Sequence, residues 1–217
     1  MSNGKANEAL SKIGVQVVQG NEAPEGVEPV RGEEEDWELN REELKRHNQA
    51  HKWGEVLRVL YYLSNKDGHP DVHKALAQAA WMALKWDAPT PEATVILYNL
   101  LVTIGPRHRA AGALSSLANL LVKLRGPRHA DPELAHAQAL QMLRFTSNAQ
   151  GVEPDNQEAF LQWVADHQLN DPEVIIPPVF ELIDALVQGD WWIDREAVQQ
   201  EMEAANQQQQ AAPETTH

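Results

Sequence analysis

Cysteine is absent from this 217-residue chain. Disulfide frameworks, thiolate-held zinc or iron–sulfur centres and thiol catalysis go with it. A chain of this length can bury a real core, so it needs no such staple. Long apolar runs are missing too. The most apolar stretch, residues 95–104, is well short of the roughly 20 residues a membrane-spanning helix requires. The start, Met1-Ser2-Asn3-Gly4, is not followed by the apolar core of a secretory leader. The expectation is a cytoplasmic protein with no membrane partner and no bound cofactor.

Other absences narrow the chemistry. There is no Gly-x-x-x-x-Gly-Lys loop, no Gly-x-Gly-x-x-Gly and no Gly-x-Ser-x-Gly elbow. Carboxylates are plentiful, but they fall at helix starts or near the chain ends, where capping or solvation explains them. Apolar–polar alternation is never sustained between Gly-rich turns, which leaves strands without support. Bases are scarce: 18 Lys and Arg stand against 32 Asp and Glu, for a net charge of −14. Such a chain repels polyanions at long range, which argues against general affinity for nucleic acid or anionic membrane.

The charge is unevenly placed. Residues 1–40 carry 9 acids and 3 bases, and residues 151–217 carry 14 acids and 1 base. Residues 105–150 reverse the sign, with 2 acids and 6 bases. Residues 1–35 and 206–217 lack helical or strand periodicity and read as disordered: an acidic N-terminal segment and a Gln-rich tail. The ordered part is expected at 36–205, as one domain.

Within that range, prolines mark helix starts. Thr90-Pro91-Glu92, Asp131-Pro132-Glu133 and Asp171-Pro172-Glu173 each offer a capping side chain, then proline, then a carboxylate for the positive helix end. Asp155 followed by Glu158 resembles a capping box. Helices are expected at 41–50, 53–64, 70–86, 91–104, 108–124, 132–147, 156–167, 178–187 and about 194–205. The second of two adjacent prolines, Pro178, should start its helix afresh, leaving 171–176 as a short turn. The helices at 70–86 and 91–104 are apolar nearly all round and should be central. The three start signals are 41 and 40 residues apart, an interval typical of stacked helical hairpins. The fold class is therefore all-α: stacked helical hairpins, as a degenerate helical repeat or an irregular multi-helix bundle.

Three groups of residues invite a functional reading. Histidines offer metal-ligand spacing: His47 with His51, His69 with His73, and Glu133 with His136. Residues four apart on one helix share a face; solvated or hydrogen-bonded structural histidines are the plainer account. Two Gly-Pro-Arg-His elements contribute Arg107, His108 and Arg109 at one place, and Arg125, Arg128 and His129 at another. Each precedes a helix start, where free N–H groups favour an anion or an acidic partner. Arg and His also keep ordinary loops solvated. Trp191-Trp192 would point about 100° apart on a helix, so one ring becomes a candidate interface contact. Together these features favour a non-catalytic helical interaction module that binds another protein, with self-association left open. A His-based metal protein and an anion or nucleic-acid binder working through residues 105–128 are the alternatives.

Overall fold

The computed structural model describes residues 33–66, 68–125, 132–153 and 155–211. Among the described residues there are nine helices and no strand: α1 (Glu33–Gln49), α2 (Trp53–Leu63), α3 (Val72–Lys85), α4 (Thr90–Ile104), α5 (Ala111–Arg125), α6 (Pro132–Ala149), α7 (Gln157–Asp166), α8 (Pro172–Val187) and α9 (Arg195–Ala211). Each helix from α1 to α5 packs against the next, so the chain stacks as helical hairpins. Helix α8 then returns to pack on both α3 and α5, and α9 touches α3.

Helix α3 lies at the centre. Its nine consecutive residues from Ala75 to Ala83 are all buried, more than two full turns of helix. Five of them are alanine, which lets neighbouring helices approach closely, while Leu76, Trp81 and Met82 fill the space between. Helix α4 buries Ile96, Leu97, Leu100 and Leu101, the side expected from its apolar run. The α5–α6 contact is built from small residues. Ala111, Ser115 and Ala118 of α5 and Ala135, Ala139 and Thr146 of α6 are buried, and Ser115 Oγ lies 2.9 Å from Thr146 Oγ1 and 2.9 Å from the Ala111 carbonyl.

Several local expectations are corrected. Residues 171–176 are not a separate turn. Helix α8 starts at Pro172 and runs through Pro177 and Pro178 to Val187. Asp171 caps it, accepting the Glu173 N–H at 2.9 Å. The two prolines withdraw donors from the Glu173 and Val174 carbonyls, but both of those residues are exposed, so water can take the place of the missing N–H groups. The buried stripe Ile175, Val179, Ile183 and Val187 keeps the segment helical. At α4 the cap position falls to Pro89, and no side chain caps it. Thr90 is buried inside the first turn. Helix α7 is capped by Asn156, which accepts the Ala159 N–H, one residue after the expected Asp155. Pro70 and His108 lie in turns ahead of α3 and α5. Helical backbone also extends past the expected 36–205 range, beginning at Glu33 and ending at Ala211. Residues 1–32 and 212–217, and the Asp131 start signal, lie outside the described residues.

Leu100 and Leu101 are both 0% exposed. Truncation of either to alanine should therefore lower the unfolding free energy by about 2–5 kcal/mol, read by chemical denaturation. Gln207→Ala, at an exposed position of α9, should change it by less than about 0.5 kcal/mol.

Candidate interaction surface

Helix α1 and the 188–194 loop that leads into α9 meet at an aromatic and basic junction. Helix α1 is mostly polar and buries only Trp37, Asn40 and Leu44. Trp37 stacks on His69 with ring centroids 3.5 Å apart and meets the edge of Trp192 at 6.2 Å. The Arg41 guanidinium sits 3.6 Å above the Trp192 ring. Trp191 packs edge-on against Trp81 at 5.8 Å, with Arg195 4.2 Å from its ring centre. The Trp192 backbone N–H donates to Gln78 Oε1 at 2.7 Å. Lys74 Nζ bonds Asp190 at 2.9 Å and Asp71 at 3.0 Å. Further along, Glu201 of α9 accepts the Trp53 indole N–H at 2.7 Å and also contacts His51. These contacts fasten the C-terminal segment onto the first three helices.

Trp191 and Trp192 therefore lie in the loop between α8 and α9, not on a helix, and both rings are half-buried against their own chain. A loop has no 100° rule, so adjacent rings can enter one junction. Gln78 Nε2 and Trp81 Nε1 are buried without an acceptor among the described residues. Packing and cation–π contacts hold this junction as much as hydrogen bonds do.

The histidine pairs do not converge. His47 faces Glu43 at 3.6 Å on α1, whereas His51 lies beyond the end of that helix in a left-handed conformation, φ 53°. The i,i+4 geometry is lost because α1 stops at Gln49. His69 stacks on Trp37, and its Nδ1 accepts the Asp71 N–H at 3.2 Å, while His73 is exposed on α3. Glu133 and His136 are both exposed on α6. Among the described residues no three His, Asp or Glu side chains are grouped as metal ligands.

The basic elements sit at opposite ends of α5, about 22 Å apart along its axis. Arg107 Nε donates to the Ala149 carbonyl at 3.0 Å. His108 Nδ1 accepts the Ala110 N–H, and Arg109 lies 3.9 Å from Glu181. Arg125 has a different task. Its two terminal nitrogens donate to the Ala83 and Leu84 carbonyls, each at 2.8 Å, so it caps the end of α3. Arg128 and His129 lie outside the described residues.

Uncovered apolar side chains occur elsewhere. Leu124 and Leu161 are 64% and 57% exposed, and Leu134, Phe145, Val174 and Ile176 are exposed to a lesser degree. All six lie on α5 to α8, and none on α1 to α4. Helix α7 is the extreme case, with Trp163 its one buried residue. Trp163 packs over Gly112 of α5, and its indole donates to Gln150 Oε1 at 3.0 Å. Gln150 in turn donates to the Pro106 carbonyl. Phe160 and Val164 are only half covered. Gln157, Glu158, Leu161 and Gln162 line a shallow open depression on the outer side. Sequence reasoning passed over Leu161, although its spacing from Phe160 and Val164 widens the apolar arc of α7 beyond what one contact can cover.

Compared with known proteins, the chain matches no family model, no curated protein and no solved structure. No helix among the described residues is long and apolar enough to cross a membrane.

Two outcomes are expected. Replacing Arg125 by Met removes charge-assisted bonds to two helix-end carbonyls and should cost about 1–3 kcal/mol in denaturant unfolding. The Asp190 carboxyl is held below its ordinary value, chiefly by the Lys74 hydrogen bond and further by Trp192 and Arg41. A depressed folded pKa stabilises the fold above the unfolded value and loses that benefit as pH falls through the folded one. The stability advantage of the parent over Asp190→Asn should therefore be full near neutrality, begin to fall near about pH 4 and vanish only once pH drops below the depressed folded value, as measured by unfolding midpoints across pH.

Proposed function

We propose that this chain is a non-catalytic, cytoplasmic helical interaction module, acting as a scaffold, adaptor or assembly factor for another protein. The observation that supports it is the confinement of the most exposed apolar side chains to α5–α8. Single exposed leucines are ordinary on any surface. Six on four successive helices, with none on the preceding four, form a bias of the kind interaction surfaces carry. The junction of α1, α3 and the 188–194 loop supports the same reading from another side. It ties α1 and the 188–194 loop to α3, and a preformed surface lowers the ordering cost of binding.

The test is affinity purification of the tagged full chain with quantitative mass spectrometry, alongside a variant carrying Leu124→Ser, Leu161→Ser and Ile176→Ser. The expected result is a small set of proteins enriched by the parent and lost with the variant, whose circular dichroism and melting midpoint stay unchanged. Equal enrichment by both forms, or no enrichment beyond an untagged control, overturns the proposal.

A further inference from the structure

We propose that the outer face of α7 docks a basic, apolar-faced segment of another protein, with Leu161 as its central contact; this deepens the interaction-module reading and rests on it. Helix α7 has an unusual balance for its length. Phe160, Leu161, Trp163 and Val164 make it strongly apolar, yet only Trp163 is buried in the domain. On a helical wheel the apolar arc runs from Trp163 through Phe160 and Val164 to Leu161, about 160° of circumference. The domain covers one edge of that arc. Leu161, at the other edge, opens into the depression it shares with Gln157, Glu158 and Gln162.

Charge selects the occupant. Between residues 155 and 187 there are seven Asp and Glu and no Lys or Arg. The two arginines of the 105–110 loop are turned to the Ala149 carbonyl and to Glu181, and Arg195 lies 3.5 Å from Asp184. Glu158 borders Leu161 directly in the depression. A second copy of this face would set like charges against each other, and residues 1–32 of the chain, with four Glu against three Lys and Arg, bring it no net positive charge. Anionic lipid is repelled for the same reason. A segment with leucine-like side chains on one side and Lys or Arg along the border satisfies both the apolar arc and the carboxylates, in the manner of a helix laid on an apolar face.

The experiment titrates the full chain into a fluorescent leucine–lysine peptide of about 16 residues with all leucines on one helical face, against a shuffled peptide of the same composition. The parent should bind the ordered peptide at least about tenfold tighter than the shuffled one. Leu161→Ser and Glu158→Lys should each weaken binding about fivefold or more, while Gln207→Ala, at an exposed position of α9 away from that face, stays within about twofold. Binding should also fall as salt rises from about 50 to about 300 mM. Both altered α7 side chains are exposed, so far-ultraviolet dichroism and melting midpoint should match the parent. The proposal is overturned if the ordered peptide gains nothing over the shuffled one, or if Leu161→Ser and Glu158→Lys bind like the parent. It is also overturned if sedimentation shows a dimer that Leu161→Ser abolishes, because the occupant is then a second copy. Partners captured from the cell that persist with Leu161→Ser alone would refute docking at α7 and leave the interaction-module reading standing; capture of none would remove both.

Discussion

Burial of residues 75–83 of α3 on every face is the constraint on which the other elements depend. A helix whose every face is covered needs neighbours on all sides, and α2, α4, α8 and α9 supply them. The alanines at 75, 77, 79, 80 and 83 make this feasible, because a helix with small side chains can be approached from several directions without leaving voids. Covering α3 also explains why α8 turns back instead of continuing the hairpin stack. Its apolar stripe fits over α3 and α5 together, and Lys85 at the end of α3 lies 4.7 Å from the Phe180 ring centre.

The closure has a second consequence at the chain ends. Helix α1 is too polar to hold itself on a core, so it is retained by specific pairs. Asp36 receives Lys66 at 2.6 Å and the Tyr62 hydroxyl at 3.1 Å, and Trp37 and Arg41 engage Trp192. Helix α9 is similarly thin, with Val198 its buried anchor and Glu201 its polar one. Each contributes little apolar area, and α1 and the loop leading into α9 share the Trp192 contacts. Their stability is therefore coupled, since residues sharing a network do not contribute independently.

Against that closed side, α5 to α8 are finished less completely. Arg125 is spent on the α3 carbonyls, and the small-residue seam joins α5 tightly to α6, but α7 is attached chiefly through Trp163 and its bond to Gln150. A protein that only needed to fold would gain little from exposing Leu161 beside Glu158. An interaction module gains a contact surface from the same arrangement, which is why the functional proposal concentrates there.

Much of the fold was legible in the residues. The Pro132-Glu133 start placed α6, apolar character all round picked out α3 and α4 as central, and 3.6-residue periodicity supplied most helix bounds, because each of these depends on neighbours within a turn or two. The failures were also local in origin. The two prolines of α8 looked like a break, because the sequence does not reveal that their side is exposed and that a buried stripe opposes the kink. Trp191 and Trp192 looked like a candidate interface, because the contacts that draw both rings into the fold come from residues more than 100 positions away. Arg125 looked like a free loop cation until α3 placed two carbonyls before it. Glu201 carried no signal at all, since its partners Trp53 and His51 are about 150 residues earlier. The sequence by itself determined the helices and which of them must be inside, through short-range backbone sterics and apolar periodicity. Only the tertiary structure decided which polar and aromatic side chains were consumed in holding the fold and which, like Leu161, were left uncovered, because that depends on how distant helices share the same surface.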